Sequence, residues 1–450
     1  MGQENYSVFD VFTPATPARL CFVERDDLND QLVNPLRTPG KQIVVYGHSG
    51  SGKTTLLVNK LQQLYESHIS THCMKSMTYE QLVLDAFDQL APYYLKDSSV
   101  GEGASISGSL ESDFKLIKAT LSSELKANQG EHWERGLPMQ LTPQTLARFM
   151  GEARACWVLE DFHKMPAAEK QKVSQLMKVF MDLSDSYPTL KIIALGAVGT
   201  AREVIEYDSE MRNRVAEIHV PLMTEGELRR LLVMGEELLR IRLGGNVVNS
   251  MAHYANGLPA VAHQLALHMC TESGVLQTQI VDRELPGTAL DSALKLYLQE
   301  ASDTLKAVFD RALRPRKKTR YDNPRLILRA LTELPEEGAG RADIYRKVIE
   351  YEPGYPQSNC SVALSALQTE DKGQMLRFDQ ASGKFSFSDP IYRAMAMVMF
   401  DADAQRGLVG GVPVVSTSTL DELMGALRVR IGDALKAYSV TFHVNEPSEE

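Results

Sequence analysis

Apolar positions in the first half of the chain fall into short runs separated by helical stripes. Gln42-Ile-Val-Val-Tyr46 is a run that closes on glycine, and in the following stretch Thr54–Leu64 the residues Leu57, Leu61 and Leu64 share one helical face. That order reads as strand, Gly-rich loop, helix. Two more runs, Cys156–Leu159 and Lys191–Leu195, flank a helical pattern through Lys170–Leu183. Strands alternating with helices predict an α/β fold with a parallel sheet covered on both faces. After Val220-Pro221 the strand pattern stops. Thr224-x-x-Glu227 has capping-box spacing ahead of Leu228, Leu231, Leu232, Leu238 and Leu239. Helical spacing continues through Ala260–Met269 and a long amphipathic stretch, Ala293–Leu313.

Beyond the basic run Arg314–Arg320, three short helical patterns (Pro324–Leu334, Arg341–Glu350, Gln357–Gln368) precede two alternating runs, Met375–Phe378 and Lys384–Ser388. Three helices and a hairpin are the order of a winged helix. A second capping-box spacing, Thr419-x-x-Glu422, opens a helical tail. The expected division is a core over 1–221, a helical lid over 222–313, a winged-helix domain over 314–400 and a tail over 401–450. The polar, Gly/Ser-rich stretch Lys96–Ser112 is expected to be a loop or hairpin insertion.

Composition narrows the class. Of 450 residues, 44% are hydrophobic and 24% charged, which fits a globular chain of several domains. Five scattered cysteines without C-x-x-C spacing read as buried thiols in a reducing cytosol. No apolar run is long enough to span a membrane and the first residues lack signal-peptide order, so a cytoplasmic location is expected. The net charge of −10 repels phosphate overall, so nucleic acid would need a local basic patch. The third helix of the expected winged helix has no Lys or Arg, and residues 321–400 carry 9 basic against 11 acidic side chains. This disfavours DNA reading and suits packing of that helix against the lid. His163, His253, His263 and His268 lack metal-ligand spacing and read as satisfied structural histidines.

The chemistry concentrates in Gly47-His48-Ser49-Gly50-Ser51-Gly52-Lys53-Thr54, a full G-x-x-x-x-G-K-[ST] phosphate loop, with Thr55 following. The glycines let backbone N–H groups turn inward around phosphates, and the helix N-terminus adds its dipole. Lys53 is placed to reach the β- and γ-phosphates and Thr54 to ligate Mg²⁺. Glu160 and Asp161 follow an apolar strand, where a sheet delivers acids rigidly to its ligand-binding edge. Glu160 suits a metal or its water, and Asp161 suits orienting the attacking water. Because P-loop proteins usually carry Asp first, the division of roles stays open.

Phe22-Val-Glu-Arg25 before the first strand, the phosphate loop, the acids Glu160 and Asp161, Gly257-Leu-Pro259 in the helical region and Phe385-Ser-Phe-Ser-Asp389 after the hairpin, taken in order, resemble the STAND NTPases and the related origin-recognition-type AAA+ ATPases over roughly residues 20 to 400. The resemblance implies ATP or ADP with Mg²⁺, and an ATP-dependent conformational switch. It places Phe22 and Arg25 against adenine and ribose, with Glu24 where the family motif has glycine. It makes Gly257-Leu-Pro259 the lid's G-x-P contact to the nucleotide, Pro259 included; an ordinary helix-breaking turn fits those residues too. Thr200 or Arg202 would be the γ-phosphate sensor, and Arg212 or Arg214 an arginine finger reaching a neighbouring protomer, with a surface arginine as the alternative. Asp389 matches the acidic position of the lock near the end of the winged helix, or simply caps the helix beginning at Pro390. The family setting implies a bacterial system such as anti-phage defence or mobile-element control, with an effector or partner protein on a separate chain and an ATP-dependent homo-oligomer. The alternative is a DNA loader or initiator of the origin-recognition kind.

Overall fold

The structure, a computed structural model, describes residues 5–65, 67–97, 142–197, 209–314 and 320–407. Residues 1–398 form one compact unit; of a second, 399–450, the described part is the end of the helix Pro390–Gly407. Of the expected insertion Lys96–Ser112, Lys96 and Asp97 end a helix and the rest lies outside the described residues, as do most of the basic run, the expected tail helix, Thr200 and Arg202.

Five parallel strands, β1 (Gln42–Tyr46), β2 (Ser67–His72), β3 (Ala155–Glu160), β4 (Lys191–Gly196) and β5 (Val215–His219), pair in the order β2-β3-β4-β1-β5. Alternate residues face opposite cores. Ile43, Val45, Cys156, Val158, Ile193 and Leu195 pack on α2 (Asp26–Arg37) and α3 (Lys53–Leu64). Val44, Trp157, Leu159, Ile192 and Ala194 pack on α4 (Tyr79–Asp97), α5 (Pro143–Glu152) and α6 (Ala167–Asp182). Cover on both faces is why β3 and β4 read as continuous apolar runs. Strand β2 is the exception: as an edge strand reading SHISTH it buries Ile69 and Thr71 and keeps a polar sequence, so hydrophobic patterning did not reveal it.

The stretch expected to form the lid folds into α7 (Glu225–Leu239), α8 (Gly245–Ala255), α9 (Pro259–Glu272) and α10 (Thr288–Glu300). Its capping box forms as expected: Thr224 Oγ1 accepts from the Glu227 N–H at 3.2 Å and Glu227 Oε2 from the Thr224 N–H at 2.7 Å. The expected single helix Ala293–Leu313 is broken in two, because Ser302 caps a new helix, α11 (Asp303–Leu313), by accepting from Leu305 N–H at 3.2 Å. A short N-terminal helix, Val8–Val11, completes the lid core with Phe12, whose ring occupies the space a Cβ on Gly235 would need.

The remainder is α12 (Asn323–Thr332), α13 (Arg341–Tyr351), α14 (Gln357–Ala366), an antiparallel hairpin of β6 (Leu376–Asp379) with β7 (Lys384–Phe387), and α15 (Pro390–Gly407). One expectation is corrected here. The uncharged helix α14 packs on α12 and α13 through Cys360, Ala363 and Leu364 and leaves Val362 exposed. The element that joins the lid core is α15, through Ala394, Met397 and Val398, while the buried residues of α14 are taken up by α12 and α13. All five cysteines are free and buried, and burial pushes the thiols of Cys21, Cys73, Cys156 and Cys270 up to about 12.

Candidate functional site

A cavity of about 680 Å³ opens at the C-terminal edge of the sheet, the edge where α/β folds bind ligands. The loop after β1 forms its floor. Gly52 precedes α3 with φ 88°, a left-handed conformation that glycine adopts without strain, and a Cβ on Gly47 would run into the Val220 carbonyl. Gly47, Ser49, Gly50, Ser51, Gly52, Lys53, Thr54 and Thr55 all line the cavity, whereas His48 does not. Lys53 Nζ rests on the loop's own carbonyls, 3.1 Å from Gly47 O and 2.7 Å from His48 O. Burial lowers its pKa, and the charges of Asp161 and Asp389 work in the opposite direction.

Strand β3 delivers Glu160 and Asp161 to the cavity rim. Asp161 takes a left-handed conformation, φ 56°, which turns the chain sharply after the strand, and its Oδ2 accepts from Lys164 Nζ at 2.7 Å. His72 Nδ1, from the end of β2, stands 3.7 Å from Glu160 Oε2. A hydroxyl on Thr54 and two carboxylates are hard oxygen donors. They fit Mg²⁺, leaving its other positions to phosphate and water.

The N-terminal segment Thr13–Ala18 and residues Phe22, Val23 and Leu28 wall the other end with lid residues Met223, Leu231, Pro259, Ala260 and His263. Phe22 lies under Lys60 Nζ, 5.9 Å from its ring centroid, and Glu24 pairs with the same ammonium at 2.9 Å. Arg25 lines the cavity, but its guanidinium is engaged at the core–lid junction. It bonds Glu227 Oε1 at 2.9 Å and the carbonyls of Pro221 and Leu222 at 3.0 and 3.4 Å. Gly257, at φ 73°, lets the chain turn so that Leu258 and Pro259 meet the phosphate loop; a Cβ on Gly52 would lie 3.7 Å from Pro259 Cγ.

Arg212 and Arg214 stand apart. They precede β5, which runs parallel to β1, so they lie at the N-terminal edge of the sheet, opposite the phosphate loop. Both are exposed, and Arg214 pairs with Asp182 at 2.9 Å. Of the four histidines, His268 is satisfied by Gln264 and Glu300, and His253 lies 3.5 Å from Glu225. His163 and His263 line the cavity instead, and His163 Nδ1 is buried without a partner. The sequence offered no signal for these two, since neither belongs to a spaced motif.

Residues 22–190 match the AAA ATPase domain. The AAA match ends just before β4, so the lid and the helix–hairpin region lie outside it. No curated protein matches the chain. Among solved structures, the chain is similar to the Walker-type ATPase of Pyrococcus abyssi, at 15% identity and TM-score 0.49 over 84% of this chain and 96% of that one. It is also similar to the Aeropyrum pernix ORC1 protein, solved in complex with DNA, at 14% and 0.43 over 90% and 99%. The Thermotoga maritima RuvB Holliday junction branch migration motor follows at 12% and 0.38 over 87% and 97%.

Proposed function

We propose that this chain is an ATP-driven conformational switch in which nucleotide bound between the core and the lid sets their relative orientation, and hydrolysis resets it. The observation that carries the reading is the meeting of the phosphate loop and the lid in one cavity, with the loop as its floor and Pro259 of the lid beside Gly52. Asp389 does not line that cavity, and its charge opposes the lowering of the Lys53 pKa by burial. Lys53 and the loop N–H groups would hold the phosphates, while Thr54 and Glu160 would hold Mg²⁺. That ion would supply charge neutralisation at the phosphates. Asp161 orients the attacking water, and Lys164 fixes the carboxylate.

The arrangement suits a STAND-type regulator, with the helix–hairpin region as a winged helix and the effector on a separate chain. Arg212 or Arg214 would act on a neighbouring protomer, since neither reaches its own cavity. A bacterial defence or mobile-element role follows from the family resemblance, and the DNA-loader alternative is disfavoured by the bare third helix.

Calorimetry with Mg-ATP on wild type and Lys53→Ala tests the site: wild type is expected to bind and the variant to lose binding, and equal affinity would overturn it. Asp389→Asn tests the switch. Asp389 Oδ1 caps the helix from Pro390 by accepting from Ile391 N–H at 2.9 Å, and asparagine keeps that acceptor while removing the charge. ADP release should quicken with little change in melting temperature.

A further inference from the structure

Two polar side chains of the cavity that take no part in the phosphate chemistry come from the lid and the N-terminal segment, and their residues are joined to each other. His263, on α9 one helical turn after Pro259 and 3% exposed, lines the cavity, and its Nδ1 accepts the Thr13 backbone N–H at 3.2 Å. A neutral imidazole that accepts at Nδ1 carries its proton on Nε2. Among the described residues that N–H has no hydrogen-bond partner. Thr13 lines the same cavity, and its Oγ1 is buried without a partner. Burial takes the His263 pKa down to about 4, so the ring stays neutral near pH 7. Native structures retain few orphaned buried polar groups, so the Thr13 hydroxyl on a ligand cavity calls for a ligand atom, and the unpaired His263 N–H stands on the same cavity.

Position selects which ligand atom. Pro259 abuts the phosphate loop, and four residues of helix carry His263 about 6 Å beyond it. The nearby wall is apolar (Pro14, Val23, Leu28, Leu231), and neutral donors in apolar surroundings suit a heteroaromatic ring or a sugar better than a phosphate. Phe12, next to Thr13, is buried in the lid core, while the Ala18 carbonyl accepts from Asn59 on α3 at 3.0 Å. The Thr13–Ala18 strap therefore spans lid and core.

We propose that His263 and Thr13 form the nucleoside-recognising pair of this site: the His263 Nε2–H donates to an acceptor on the base or ribose, and the Thr13 hydroxyl bonds an adjacent nucleoside atom. This rests on the reading of the cavity as an ATP site. Discrimination at the base end is thereby coupled to docking of the strap.

The test compares Mg-ATP with Mg-tripolyphosphate, which has no nucleoside, on wild type, His263→Phe, His263→Gln and Thr13→Val. His263→Phe should weaken ATP about tenfold, as for a lost buried hydrogen bond, and leave tripolyphosphate unchanged, with Gln recovering part of the loss. Thr13→Val should cost ATP about threefold by the same split. ATP analogues with one ring nitrogen replaced by carbon, and deoxy-ATP, then locate the acceptor: the analogue lacking it should bind wild type less well and His263→Phe no less well than ATP does. Equal losses for ATP and tripolyphosphate would show a structural histidine, and unchanged ATP affinity in His263→Phe would likewise overturn the pairing. If wild type bound neither ligand, the ATP reading itself would fail, which is a different result.

Discussion

Arg393, on α15, donates from Nη1 to the side-chain carbonyl of Asn256, and Asn256 Nδ2 returns a hydrogen bond to the Pro390 carbonyl at 3.1 Å. Asn256 is the left-handed residue that ends α8, immediately before Gly257-Leu-Pro259. The second nitrogen of the guanidinium, Nη2, bonds the carbonyls of Thr332 and Leu334, both at 3.0 Å. One cation thus joins α12, α15 and the lid turn that meets the phosphate loop.

Removing that cation should loosen the turn. Arg393→Ala leaves three part-buried acceptors unpaired, at no more than about 1–3 kcal/mol each, so a lowered melting temperature and faster ADP release are expected together. Asn256→Ala should do the same, and the double variant should fall short of the sum because both act through one junction. Fully additive losses would contradict a shared role.

How legible was this in the chain? The phosphate loop and the acids after β3 were plain, because phosphate chemistry demands glycines and carboxylates at fixed spacing around a buried strand. The Thr224 cap was plain for the same reason, as its partner is three residues away. Arg25 and Asp389 could be singled out only by resemblance, and the sequence could not show that Arg25 spends its guanidinium on Glu227, 202 residues distant. His263 and Thr13 are 250 residues apart and share no motif. A tertiary contact between ordinary residues leaves no periodic trace. The break at Ser302 was hidden because apolar spacing runs through it nearly in phase.

The two acids should separate binding from turnover. Asparagine tolerates the left-handed conformation that Asp161 adopts, so Asp161→Asn changes charge without straining the turn. It and Glu160→Gln should each bind ATP nearly as wild type and hydrolyse it about tenfold more slowly or worse. Single-turnover assays at saturating ATP measure the step, and wild-type rates in both variants would remove the acids from the chemistry.

Arg214 makes an exposed pair with Asp182, and pairs of that kind contribute little to stability. Arg214→Ala should therefore melt like wild type. If the side chain acts on a neighbour's phosphates, specific ATPase activity in wild type should rise with protein concentration, and the variant should lose that rise. Activity independent of concentration, with an inert variant, would leave a surface arginine.

The buried imidazole of His263 makes stability depend on pH with a definite sign. Burial takes its pKa from 6.5 down to about 4, so the unfolded chain binds the proton more readily than the folded one. The stabilisation is complete above the unfolded value and is lost as pH falls from about 6.5 through the folded value near 4. Glu227 is protected differently: burial alone would raise its pKa, but hydrogen bonds from Thr224 and the pairing with Arg25 bring it below 4.5, so its loss comes at lower pH. Melting curves should therefore show a decline between about pH 6.5 and 4 that is smaller in His263→Phe, the remainder being carried by His48, His68 and His163, whose pKa values burial also lowers. A second decline, below about pH 4.5, should persist in that variant and shrink in Glu227→Gln. An unaltered upper limb in His263→Phe would mean that another group carries it.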